Sequence, residues 1–196
     1  CALPICDEFQ INSYTSSDQS NPDVAALASG GFVVTWGDSS GHTDGSGWDV
    51  RAQMFDAESN PVGGEFLVNT TISSTQYQPA ASALADGGFV ITWEDHGGTD
   101  GDSYGVFGQR FNADGTANGG EFQINTYPTS NQENVSVAGF DGGGFVATWS
   151  SYNQPGDGSW EGIFAQRYGW VTDENGTSFQ PVGDEFQVNT YTYHYQ

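Results

Sequence analysis

The chain has 196 residues, 14% of them aromatic and 28 of them glycine, enough apolar mass for a packed core and too much for a disordered segment. Its 25 acidic residues face three cations, Arg51, Arg110 and Arg167, with no lysine, and the formal charge is −22. Such a surface repels phosphate backbones and anionic membranes, which excludes nucleic-acid reading and leaves metal cations, cationic partners or simple solubility as what the charge serves.

In chain order, the first short run is Glu8-Phe9-Gln10-Ile11-Asn12. It returns as Glu65-Phe66-Leu67-Val68-Asn69, Glu121-Phe122-Gln123-Ile124-Asn125 and Glu185-Phe186-Gln187-Val188-Asn189, at steps of 57, 56 and 64 residues. A second anchor, Gly-Gly-Phe-Val-x-Thr-Trp, keeps step over 30–36, 87–93 and 143–149. A period of this size marks a repeat architecture. Within a single domain, 1–196, the repeats run 3–63, 64–119 and 120–183, and 184–196 starts a fourth.

The second copy shows the unit most clearly. Strand a is predicted over 78–84, and an Asp86-Gly87 turn leads into strand b over 88–93. A Gly/Asp-rich loop over 94–104 precedes strand c, 105–111, and a turn through Asp114-Gly115 leads to strand d, 121–125. No segment carries apolar residues at helical spacing, so the predicted class is all-β. In strand b, Phe32, Val34 and Trp36 fall on one face and Val33 and Thr35 on the other, and both faces are apolar or β-branched. Burial on both sides implies sheets stacked face to face, with Phe32, Trp36, Phe89, Trp93, Phe145 and Trp149 in the core. Four short strands per period favour three propeller-like blades; a β-prism or β-trefoil also uses three four-stranded units.

The two ends of the sequence break off in the same phase. Asn12 to Gln19, Asn69 to Gln76, Asn125 to Gln132 and Asn189 to Gln196 are all seven residues apart. The chain is then either an excerpt of a longer array or a subunit that self-associates through its terminal segments. In the second case residues 3–19 of one molecule lie beside, or in place of, 181–196 of another.

The strings Gly-Gly-Glu-Phe-x-Val-Asn-Thr, Leu-Ala-Asp-Gly-Gly-Phe-Val-Ile-Thr-Trp and Gly-Val-Phe-Gly-Gln-Arg-Phe-Asn-Ala-Asp-Gly resemble tandem repeats of very large secreted bacterial surface proteins. Those adhesin-like proteins often also carry cadherin-like or glycine-rich calcium-binding repeats. The resemblance covers nearly the whole chain and implies an extracellular or cell-surface, non-enzymatic role in adhesion or matrix, with glycans or surface and matrix proteins as partners. Two departures stand out: Met54 occupies the position of Arg110 and Arg167, and the third copy has a long excursion over 169–180.

The loops between strands b and c hold the candidate ligand sites. Asp44, Asp49, Asp100, Asp102 and Asp157 lie there, and calcium takes six to eight oxygens from loops of this kind. Turns that need Gly for positive φ and Asp as a side-chain cap are the alternative reading. If calcium binds, it raises the melting temperature by mass action and relieves self-repulsion. Trp48, Tyr104 and Trp160 lie in the same loops, as rings on which a sugar could stack, or as a satellite core folded over strand b. Gln53, Gln109 and Gln166 recur in strand c, and Arg110 and Arg167 follow directly, placed for a cross-strand pair with the glutamates of strand d. Cys1 and Cys6 predict a local disulfide, with lipidation of Cys1 as the alternative. Asn69, Asn134 and Asn175 are N-glycosylation acceptors by sequence.

His42, His96 and His194 form no zinc spacing, and no serine sits in a catalytic motif. The functional expectation is a glycan-binding surface module with acidic calcium loops. A self-assembling structural subunit and a glycoside-acting enzyme are the alternatives.

Overall fold

A computed structural model of the chain describes residues 8–40, 47–155, 161–174 and 176–190. Among them there is no helix. Thirteen strands form three antiparallel sheets. The first holds β1 (Gln19–Ala26), β2 (Phe32–Asp38), β3 (Asp49–Phe55) and β4 (Pro61–Leu67) in that order. The second holds β5 (Gln76–Ala83), β6 (Phe89–Asp95), β7 (Gly105–Phe111) and β8 (Phe122–Gln123). The third holds β9 (Gln132–Phe140), β10 (Gly144–Tyr152), β11 (Glu161–Asp173), β12 (Gly176–Pro181) and β13 (Phe186–Gln187). Each sheet thus follows the predicted order a, b, c, d. Cys1 and Cys6 lie outside the described residues.

Both glycines of the Gly-Gly-Phe anchor are dictated by backbone geometry. The first, Gly30, Gly87 or Gly143, turns the chain at φ +87, +89 or +77, a region that disfavours any Cβ. The second, Gly31, Gly88 or Gly144, lies against the neighbouring strand, where a Cβ would come within 2.0, 2.3 or 2.2 Å of a carbonyl oxygen of Phe55, Phe111 or Tyr168. Strand a carries a bulge in each sheet, with Asn21, Gln78 and Asn134 in the left-handed region at its centre.

Burial on both faces of strand b follows from stacking. Phe89, Ile91 and Trp93 face sheet 1, where they meet Ala25, Leu27, Val33 and Val50. Val90, on the other face, meets Phe145, Ala147 and Trp149 of sheet 3. Five of the six predicted core aromatics are buried, and Phe32 is half-buried because no sheet of the described residues lies beyond its face of sheet 1.

Polar bonds close each joint at both edges. At strand a, Asp23 accepts from the Ala81 amide at 2.7 Å, and the Gly139 amide donates to Ser82 Oγ at 2.8 Å. At the far edge the glutamate of strand d reaches the turn after the preceding strand d. Glu65 accepts from the Ser13 amide and hydroxyl at 2.9 and 2.7 Å, and Glu185 from those of Thr126 at 2.7 and 2.9 Å. Glu121 accepts from the amides and hydroxyls of both Thr70 and Thr71, at 2.6 to 3.2 Å.

This clamp replaces the expected cross-strand pairing of Arg110 and Arg167 with strand-d glutamates. Arg110 pairs instead with Asp86 at 2.8 Å, and Arg167 lies over Phe140. Arg51, at a different position of its strand, faces Glu65 at 3.4 Å and Asp38 at 3.7 Å.

The seven-residue spacing is a hydrogen bond. Asn12, Asn69 and Asn125 donate from Nδ2 to Oε1 of Gln19, Gln76 and Gln132 at 3.1, 3.2 and 3.0 Å. Their counterparts' Oδ1 atoms accept the amides of Val50, Val106 and Ile163, each at 2.8 Å, from Asn69, Asn125 and Asn189. Asn69 is therefore buried and bonded and does not present itself as a glycan acceptor. Gln53, Gln109 and Gln166 each donate to a backbone carbonyl two or three residues before the strand-d glutamate, at Val62, Gly119 and Gly183.

Candidate functional site

Two places collect aromatic and polar groups. The first is the b–c edge, where the sequence places the ligand residues. Trp48 and Tyr104 are half-buried there and belong to one ladder: Trp48 meets Tyr77 edge-on at 4.9 Å, Tyr77 meets His96 at 6.5 Å, and His96 stacks on Tyr104 at 3.7 Å. Trp160 lies outside the described residues. The carboxylates beside the ladder are engaged within the protein. Asp49 and Asp100 accept from Asn69 and Asn125, both at 3.2 Å, and Asp102 accepts from the Ser130 amide at 2.9 Å. Asp44 and Asp157 lie outside the described residues, among which no group of three or more His, Cys, Asp or Glu is disposed to hold a metal.

Behind the ladder sits a buried carboxylate, Glu94. It accepts from the Asn134 amide at 2.6 Å and lies 3.0 Å from His96 Nε2. Glu133 is close by, and its carboxyl is pushed above the ordinary range, chiefly by burial and further by the charges of Glu94 and Glu161; Asn131 and His96 oppose the shift. A carboxyl raised by folding weakens the fold once ionised, so its cost is absent at low pH and grows as pH rises through its range. Glu133→Gln removes that cost. The variant should melt at a higher temperature than the parent at pH 7, with the difference closing toward pH 4. Equal melting temperatures at pH 7 would show that solvent already screens the group.

The second place was not anticipated as a site. The third copy's excursion is an extension of the c–d hairpin: β11 continues past Tyr168, and β12 returns along it with Trp170 opposite Phe179 and Asp173 opposite Gly176. The sequence signal is the Asn175-Gly176 pair between residues of strand propensity, a strong hairpin dipeptide. The arm leans over sheet 2. Phe179 lies 3.9 Å from the Arg110 guanidinium, Trp170 lies 5.3 Å from it, and the two rings meet edge-on at 5.5 Å. Beneath the arm is a cleft of about 490 Å³ lined by Arg110, Asn118, Phe122, Gln123, Tyr168, Trp170, Phe179, Gln180 and Pro181, with the backbone of Gly119 and Gly120.

Arg110 is buried, which lowers its pKa, while Asp86 acts in the opposite direction. At Met54, its counterpart, the joint between sheets 1 and 2 is filled by a thioether instead. Tyr168 donates to the Gln123 carbonyl at 3.2 Å, and burial pushes its hydroxyl up to about 12. Trp170 is 51% exposed, so the indole presents an open apolar surface in a cleft with three side-chain amides and a cation.

No family model matches this chain, and no curated protein matches it. Among solved structures, that of a protein of unknown function from Dyadobacter fermentans DSM 18053 is similar with a TM-score of 0.49 and 10% identity, over 83% of this chain and 53% of that one. This chain spans about half the length of that structure.

Proposed function

We propose that the chain is a non-enzymatic, extracellular adhesion module of propeller-like blades that holds glycans in the cleft beneath the β11–β12 arm. The composition of the cleft carries this reading. On a chain of net charge −22, its lining contains no carboxylate, and it combines an exposed indole, three more aromatic side chains, three amides and one cation. A sugar ring lays its apolar face on an aromatic ring and bonds its hydroxyls to amides, and a cleft of a few hundred Å³ is the size such ligands fill. The blade arrangement is supported by stacked four-stranded units whose strands a are tied to one another across each joint. The ladder of Trp48 and Tyr104, whose rings pack on Tyr77 and His96, lies outside this site. The reading does not depend on calcium.

A glycan array followed by calorimetry on the strongest hit tests it. Trp170→Ala should weaken binding by roughly tenfold or more, since stacked aromatics dominate such sites, while the half-exposed position leaves the melting temperature unchanged. Trp48→Ala and Tyr104→Ala should leave that hit's affinity within about twofold of the parent. Retention of no glycan, or full binding by Trp170→Ala, overturns the assignment.

A further inference from the structure

The two interior joints define what each face of a sheet buries, and the two outer faces can be compared with them position by position. On the face that looks toward the next sheet, Val68 is 2% exposed and Ile124 1%, whereas Val188 at the same position is 49% exposed. Val33 and Val90 are fully buried where Val146 is half-buried, and Met54 and Arg110 are buried where Arg167 is exposed. On the opposite face, Ala81 and Val137 pack into the joints, whereas Val24 at their position is 60% exposed. Beside Val24 a groove of about 360 Å³ runs along Ile11, Pro22, Val34 and Trp36. At the first joint Ala25, Leu27 and Val33 pack against Trp93, the counterpart of Trp36.

We propose that these two outer faces bind each other: the open face of sheet 3 in one copy seats on the open face of sheet 1 in a second copy, in the register of the interior joints. Continuity with those joints identifies the occupant, because each open face lacks the surface that the other presents.

One segment stands in the way. Phe9 already lies 5.6 Å from Phe55, as Phe66 lies 5.4 Å from Phe111, and Ser13 already donates to Glu65. An incoming copy needs the same places for its Phe186, Val188 and Thr190. Residues 8–12 belong to no strand, whereas β13 pairs with β11 and the Val188 amide donates to Ile163 at 2.7 Å. The segment held by side chains gives way to the one held in a sheet, and Glu65 exchanges Ser13 for Thr190 of the arriving copy.

Sedimentation velocity on the full chain over a concentration series tests this. The parent should associate, more strongly at raised salt because the charge of −22 opposes contact. Val24→Glu blocks one face and Val188→Glu the other; both positions are exposed, and melting curves check that each variant folds. Each variant alone should be monomeric, and an equimolar mixture should form a dimer that grows no further. Phe9→Ala should tighten association roughly fivefold, about 1 kcal/mol, because it weakens only the segment that must leave. A monomeric parent, a mixture that stays monomeric, a single variant that associates like the parent, or weaker association of Phe9→Ala each overturns the proposal.

Discussion

Truncating Trp93 to alanine should cost about 3 to 5 kcal/mol of folding stability, the range for deleting a large aromatic from a closed core. Trp93 is fully buried between sheets 1 and 2, beside Val50, Ala52 and Ile91 in one cluster, and none of these neighbours can move without pulling on its own strand. One term lowers the cost: the indole N–H of Trp93 has no hydrogen-bond acceptor among the described residues, as is true of Trp36 and Trp149, so the substitution also removes an unsatisfied buried donor. Trp36→Ala is the internal comparison. Its ring borders the open groove of sheet 1, where water can refill the space, and its loss should cost visibly less. Urea midpoints at constant slope give both values. A cost below about 1 kcal/mol at Trp93 would mean that the sheets do not interdigitate.

Glu121→Ala should cost about 2 to 3 kcal/mol, the value of hydrogen bonds to a charged group when several donors lose their acceptor together. The carboxylate collects two amides and two hydroxyls from Thr70 and Thr71. Glu121→Gln keeps one acceptor oxygen and should fall between alanine and the parent. Glu8→Ala is the control, since Glu8 holds the same repeat position and is exposed; it should change stability by less than about 0.5 kcal/mol. Equal losses at Glu8 and Glu121 would show that the repeated glutamate acts through the net charge and not through the clamp.

The fold class and the four-stranded unit were legible because their causes are local. Alternation in Phe89-Val-Ile-Thr-Trp93, the Asp86-Gly87 turn and the absence of helical spacing are all read within one period. In the second and third sheets strand d came out shorter than its motif. Only Phe122 and Gln123 form the ladder; Ile124 adds one backbone bond to Val106, and the Asn125 side chain takes the next. The Asn–Gln spacing was visible without its meaning, because two polar residues seven apart are a bond only once the turn between them, with Ser17, Ser74 or Ser130 in the left-handed region, is folded.

The glutamate clamp was invisible, since its partner lies 50 or more residues away and nothing in a single sequence couples them. The cleft was half visible. The excursion of the third copy was recognisable as a departure, but that it doubles back with Trp170 against Phe179 depends on pairing, and that it reaches Arg110 depends on the stacking of sheets 2 and 3.

The clamp also gives the repeat array a direction. One side of every joint offers a carboxylate and the other a hydroxyl and an amide, so the two sides are chemically unlike. Two-fold symmetric contact through either outer face would set like against like, leaving glutamate opposite glutamate or threonine opposite threonine, on a chain already far from neutral. Such isologous dimers are therefore disfavoured at these faces, and an assembly through them must be head-to-tail, closing as a ring of three or more copies or running on as a helix.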